Sequence, residues 1–362
     1  MEDVSGVPEF GDDAGSNGVT GDPGVSGETT RDAAGPARPA GTVGPAGAAG
    51  DDAAPALAPR KGAVVETERQ ARRAEVIAIF GPTASGKSAV AEAVANRLGT
   101  EIVSADAMQV YRGLPILTNQ PAAPTRLVAI RSLDETMSVG AFAALAHAEI
   151  DALVGQRGVA VVAGGTGLYL RAALADLRVP PPAADDARAR IRREVERDRM
   201  TAHDRLSQLD PAAGAAVHPH DTKRLVRALE LAEVGRSLVP GQDRLWSGPV
   251  RRPTRVFGLD LSPSLLEERI RRRTEDMFAR GVVDEVRSAL AGHVSQTAEK
   301  TLGLSEIAGL EPHEALERIV MRTRRYAAYQ RKWMRRIPDL VLLDGSLPSE
   351  QLAAEIVAEA RR

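Results

Sequence analysis

Gly81-Pro82-Thr83-Ala84-Ser85-Gly86-Lys87-Ser88 follows the spacing G-x-x-x-x-G-K-[ST], and no other stretch constrains the fold of this chain as strongly. Such a turn needs a strand before it and a helix after it, and both are legible. Val76 to Phe80 is a continuous apolar run, which predicts a buried parallel strand. Ser88 to Leu98 carries apolar residues at Val90, Ala91, Val94 and Leu98, with Gly99 as its stop, which predicts a helix. The glycines let consecutive N–H groups and the positive helix end face an anion. Lys87 adds a point charge, and the Ser88 hydroxyl is a candidate Mg²⁺ ligand. The ligand itself stays open: any diphosphate with Mg²⁺ satisfies the loop, and ATP is only the default.

The pattern repeats downstream. Strands are predicted at 101–105 and 159–163 with a helix at Val139–Val154 between them, and a strand–helix alternation of this kind implies right-handed crossovers and a parallel sheet covered on both faces. Pro180 to Pro253 changes to charged helical segments, clearest at Asp185–Met200 and Asp221–Val234. Strand character returns at Arg255–Asp260, followed by helices at Ser264–Arg280 and Pro312–Ile337, a strand at Leu340–Asp344 and a terminal helix. The expected fold is therefore α/β: a P-loop parallel sheet built from residues 75–180 and 254–362, with an all-helical insertion at 181–253.

Residues 1 to 70 are different in kind. They hold five basic against twelve acidic residues, so the near-neutral total of −2 conceals an acidic tail and a basic remainder. Twelve Gly and seven Pro in the first 60 residues, with Phe10 the only aromatic, cannot bury enough apolar surface to offset chain entropy. A disordered tail is expected. The chain has no cysteine, which excludes disulfides and thiolate chemistry, and no apolar stretch of membrane-spanning length. A cytoplasmic monomer is the expectation.

Two further crevice residues follow from strand ends, since the carboxyl ends of parallel strands face the ligand. Asp106 follows the second strand and is a magnesium-sphere ligand, a general base or a helix cap by position alone. Thr166, in Gly164-Gly165-Thr166-Gly167, places a hydroxyl in the same crevice, unless that segment is only a tight turn. Arg322, Arg324, Arg325, Arg331, Lys332, Arg335 and Arg336 form a basic run without an acid, as a phosphate-tracking helix would. Tyr326, Tyr329 and Trp333 share one face of it, as core packing or as base-stacking groups. His218 and His220 stand too far from other ligand types for a metal site.

In combination, GPTASGKS (Gly81–Ser88), DAMQVYRG (Asp106–Gly113), GGTGLYL (Gly164–Leu170), HPHDTKRLVRALEL (His218–Leu231) and RYAAYQRKWMRR (Arg325–Arg336) resemble the tRNA dimethylallyltransferase family, in unbroken order from about Glu75 to Asp344. The resemblance implies transfer of a dimethylallyl group from dimethylallyl diphosphate to N6 of adenine 37 in the anticodon stem-loop of tRNAs reading codons that begin with U. It implies Asp106 as general base, with Thr166 beside it, and assigns Asp106, Ala107, Met108 and Gln109 to tRNA contact. It gives Lys223, Arg224, Leu225, Val226 and Arg227 to the diphosphate and the tRNA backbone, Arg224 serving the diphosphate, and adds Arg188, Lys300, Arg331 and Arg335 as tRNA contacts. The chain departs from the family pattern at Ala107, where a serine is usual, at Thr118–Pro121, and at Leu304, where the motif carries tyrosine. A P-loop kinase, an isopentenyltransferase acting on free adenine nucleotides and a non-catalytic RNA-binding relative are the competing readings.

Overall fold

The structure, a computed structural model, describes residues 73–176, 183–238, 246 and 248–362. The acidic tail expected at 1–70, and the joints of the helical insertion near 180 and 240, lie outside the described residues.

Six strands form one sheet: β1 (Val76–Phe80), β2 (Ile102–Ser104), β3 (Thr125–Arg126), β4 (Ala160–Gly164), β5 (Thr254–Asp260) and β6 (Val341–Asp344), in the order β3-β2-β4-β1-β5-β6. Every pairing is parallel, with Val76 opposite Ala160 on one side and Thr254 on the other. The five residues of β1 are all buried, and the pleat sends them to opposite faces. Val76, Ala78 and Phe80 pack under α2 (Val139–Arg157) and α3 (Gly167–Leu174), through Phe142, Ile150 and Leu170. Ile77 and Ile79 meet α1 (Lys87–Leu98) and the terminal α12 (Ser349–Ala360), through Val94, Leu352 and Ile356. Each such aliphatic side chain stabilises the fold by about 1.5–3 kcal/mol relative to exposure.

The helical insertion seals a core of its own. In it, α4 (Asp185–Arg197), α5 (Arg199–Leu209), α6 (Pro211–Ala216) and α7 (Thr222–Glu233) enclose Ile191, Val195, Leu206, Leu225 and Leu229. The single helix expected over Asp185–Met200 is broken at Asp198, whose carboxylate accepts from the Met200 and Thr201 N–H groups at 3.0 and 3.2 Å and starts a new helix.

Four helices lie between β5 and β6: α8 (Pro263–Ala279), α9 (Val282–Leu290), α10 (Leu304–Gly309) and α11 (Pro312–Met334). Pro263 opens α8 and the Ser262 hydroxyl accepts from the Leu265 N–H, a capped start with the missing donor where none is needed. The 23 residues of α11 run past the carboxyl edge of the sheet and bury Trp333 and Met334 in the core beneath β1.

Candidate active site

The phosphate loop leaves β1 at Gly81 and enters α1 at Lys87, as its flanks predicted. Gly86 sits at a φ of 92°, a left-handed backbone that a side chain would strain. The Ser85 N–H donates to the Pro82 carbonyl at 3.1 Å, closing the turn, and the Ser85 hydroxyl is buried with no hydrogen-bond partner. Lys87 Nζ donates to the Pro82 carbonyl at 3.4 Å. Burial pushes the Lys87 ammonium down to about 8, against the attraction of Asp106 and with added repulsion from Arg273. Ser88 is exposed in the first turn of α1.

Asp106 and Thr166 are brought together across the ends of β2 and β4. The Ala107 N–H donates to Thr166 Oγ1 at 3.4 Å, and Asp106 Oδ1 accepts from the Met108 N–H at 2.9 Å, which orients the carboxylate. Tyr326, from α11, shares a 3.4 Å hydroxyl contact with Thr166, and burial together with the Asp106 charge pushes its phenol well above the ordinary range. Ala107 is buried, so it offers no side chain to a ligand. Gln109 is held locally: its amide oxygen accepts from Ser104 Oγ at 2.9 Å and its amide nitrogen donates to the Asn119 carbonyl at 3.0 Å.

Two site residues escape the sequence reading, and a third, Tyr326, is read there only as core packing or base stacking. Arg273 on α8 donates to Thr83 Oγ1 at 3.3 Å, and burial holds its guanidinium below its usual value while Asp106 opposes the shift. Its neighbour Arg271 faces outward and pairs at the surface with Glu317 at 2.7 Å. The available signal was helical spacing, because Arg273 falls on the stripe of Leu266, Ile270 and Met277. Gln330 bridges two turns, accepting from the Thr83 N–H at 2.8 Å and donating to the Gly165 carbonyl at 2.9 Å. A Cβ on Gly165 would stand 2.3 Å from Gln330 Nε2, so a side chain there would displace the amide that forms this bridge.

Thr83, Asp106, Met108, Arg273 and Tyr326 line one part of a cavity of about 80 Å³ whose other walls include Leu117, Ile270, Met277, Leu302 and Ile319. Charge, a proton acceptor and hydroxyls thus meet an apolar compartment.

The outlying basic residues divide. Lys223 and Arg224 are exposed in the first turn of α7, where the Asp221 carboxylate caps the Arg224 N–H at 3.0 Å. The arginine observed against the phosphate loop is Arg273, through its hydrogen bond to Thr83. Leu225 and Val226 are buried in the core of the insertion, so any contact of theirs with tRNA would run through the backbone. Arg188 and Arg227 both pair with the buried Glu230, at 3.2 and 2.9 Å. Lys300 is pushed down to about 8 by burial. The acid-free stretch on α11 gains its acids from elsewhere: Arg331 pairs with Asp260 at 2.9 Å, Arg324 with Glu267 at 2.9 Å, and Arg322 with Glu306. Arg335 is exposed. Trp333 is core, and Tyr329 meets its edge at 6.3 Å between ring centres. Among the described residues no group of three or more His, Asp or Glu could hold a metal ion, and no helix is long and apolar enough to cross a membrane.

Residues 109–337 match the family model described as IPP transferase, and residues 74–133 match that of isopentenyl transferase. A tRNA dimethylallyltransferase of Mycobacterium tuberculosis H37Rv is 39% identical over 311 residues, covering 79% of this chain and 97% of the relative. One from Anaeromyxobacter sp. strain Fw109-5 is 40% identical over 274 residues, covering 72% and 91%. Among solved structures, a Bacillus halodurans tRNA isopentenylpyrophosphate transferase aligns with a TM-score of 0.58 and 29% identity, over 80% of this chain and 97% of the other. A eukaryotic dimethylallyltransferase captured acting on tRNA aligns at 0.63 and 25%, over 75% and 73%.

Proposed function

Because the chain belongs to the tRNA dimethylallyltransferase family, we propose that it transfers the dimethylallyl group of dimethylallyl diphosphate to N6 of adenine 37 in tRNAs reading codons that begin with U. The observation that carries this reading is the convergence of Asp106, Tyr326, the loop residue Thr83 and the half-buried Arg273 around one partly apolar cavity, with the Thr166 hydroxyl 3.4 Å from that of Tyr326.

The chemistry follows from that arrangement. An exocyclic adenine amine is a poor nucleophile until a base accepts its proton, and Asp106 is the carboxylate at hand. The N6–C1 bond forms, the C1–O bond to diphosphate breaks, and the N6 proton passes to Asp106. Thr166, its hydroxyl shared with Tyr326, positions the amine. Lys87, the loop N–H groups and Arg273 stabilise the negative charge that develops on the departing diphosphate. Leu117, Met277 and Ile319 cover the hydrocarbon and exclude water that would otherwise capture the allyl group. The base must leave its stack to enter such a pocket.

One hydroxyl and the oxygens of a diphosphate suit Mg²⁺, which keeps several waters and binds through few protein groups. Ser88, in the first turn of α1, is the residue that would hold it, and the ion would supply further charge stabilisation of the diphosphate. Lys223, Arg224, Lys300 and Arg335 would meet tRNA phosphates. The protein would act as a cytoplasmic monomer.

The test is incorporation of labelled dimethylallyl diphosphate, with Mg²⁺, into an anticodon stem-loop carrying adenines at 36 and 37, beside an A37-to-G control and free AMP. Label in the A37 RNA alone is expected. Label in AMP would move the acceptor to free nucleotides, and binding of RNA without label would leave a non-catalytic relative.

A further inference from the structure

The apolar side of the active-site cavity contains a polar group that the transfer reaction leaves idle. Three buried threonines stand in its wall: Thr118, Thr274 and Thr301. The Thr118 hydroxyl donates to the Leu114 carbonyl at 2.7 Å and that of Thr274 to the Ile270 carbonyl at 2.9 Å, so both are satisfied by their own backbone. Thr301 is 3% exposed, and its hydroxyl is buried without a hydrogen-bond partner.

The turn from Thr301 into α10 is fixed on the hydrocarbon side. The Leu304 N–H donates to the Thr301 carbonyl at 3.1 Å, and the backbone at Gly303 lies so close to Leu117 that a Cβ there would stand 2.7 Å from Leu117 Cδ1. Thr301 therefore stands among Leu117, Leu302 and Ile319, residues suited to an isoprenoid tail. An unpaired hydroxyl in such a wall is unfavourable until a ligand supplies its partner. A site that offers a hydrogen bond also discriminates for the substrate able to make it.

Building on the transferase reading, we propose that Thr301 is a specificity-determining residue and that the protein uses a five-carbon allylic diphosphate bearing a hydroxyl on the carbon remote from the diphosphate. The diphosphate stays on the phosphate loop and the hydroxyl pairs with Thr301 Oγ1. The same bonds change as with the unsubstituted donor: N6–C1 forms, C1–O breaks, the N6 proton goes to Asp106, and the remote hydroxyl is carried unchanged into the product.

The experiment measures kcat/KM for dimethylallyl diphosphate and for its terminally hydroxylated analogue, with the full-length protein, Mg²⁺ and the A37 stem-loop. The readout is the ratio of the two values in the wild type, Thr301→Val and Thr301→Ser. The hydroxylated-to-unsubstituted ratio should fall about five- to thirty-fold in Thr301→Val, the loss of one hydrogen bond that leaves a hydroxyl unpaired, and stay near the wild-type value in Thr301→Ser. Thr301→Ala repeats the loss without an added methyl, should the valine variant fail to fold. An unchanged ratio in the valine and alanine variants, or no transfer from the hydroxylated donor by the wild type, overturns the proposal. Failure of both donors with the wild type would instead overturn the transferase reading beneath it.

Discussion

Gln330 holds the phosphate loop by its backbone: the Thr83 N–H donates to the Gln330 side-chain oxygen at 2.8 Å, across 247 residues of sequence. The other half of the same amide donates to Gly165 at 2.9 Å, so one side chain from α11 fixes the spacing of the loop and the Thr166 turn. Gln330→Leu should leave two buried backbone groups unpaired. The expected cost is about 2 kcal/mol, a fall of roughly 4–8 °C in Tm by calorimetry. Weaker diphosphate binding should accompany it, and a variant with unaltered Tm and binding would show that the bridge is dispensable.

Asp106→Asn keeps the shape of the side chain and its contact with the Met108 N–H while removing the proton acceptor. Single-turnover transfer at saturating RNA should slow by about 10²- to 10⁴-fold, with stem-loop affinity nearly intact. A normal single-turnover rate would remove Asp106 from the role of base.

Lys87 links binding to pH. Its folded value of about 8 lies below the ordinary 10.5, so the charge that attracts diphosphate is complete at pH 7 and lost as pH rises through about 8. Titration calorimetry with inorganic diphosphate should therefore show affinity declining between roughly pH 7.5 and 9. Stability moves the other way. The folded state releases this proton before the unfolded chain does, so the contribution of Lys87 to stability rises as pH climbs from about 8 toward 10.5. A flat binding profile across that window would mean that the ammonium is not the group in question.

Glu230 is 2% exposed and lies between Arg188 and Arg227. Glu230→Ala removes the acid from between two largely buried cations, and the expected cost is about 3–5 kcal/mol, carried by the helical insertion. Hydrogen exchange should rise first in α4 and α7. Uniform exchange across the molecule would show instead that the insertion unfolds together with the sheet.

The elements that position the phosphate were legible because sequence and structure there obey one local rule: an apolar strand, a glycine turn and a capped helix. Asp106 and Thr166 were legible for the same reason, as residues at strand ends. Gln330 and Arg273 were not, since each reaches the site from a helix more than a hundred residues downstream of the loop; helical spacing puts Arg273 on a buried stripe without saying what it faces, and Tyr326 was placed on one face of α11 without its partner Thr166. The ion pairs of the basic stretch on α11 were hidden for a related reason. The partners Asp260, Glu267 and Glu306 are distant in sequence, so the pairing of Arg331, Arg324 and Arg322 could not be read from the run itself. β3 is only two residues long and pairs on one side alone, too little periodicity to be read.

Tyr326, Gln330 and Trp333 stand four and three residues apart on α11, and they meet in turn the Thr166 hydroxyl, the phosphate loop and the core beneath β1. Their angular phase is common property: inserting or deleting one residue between them would rotate everything beyond by about 100°. The segment 326–333 is accordingly closed to insertions and deletions even where its outward positions accept any side chain, because a frame slip would uncouple the reacting groups from the core in a single step.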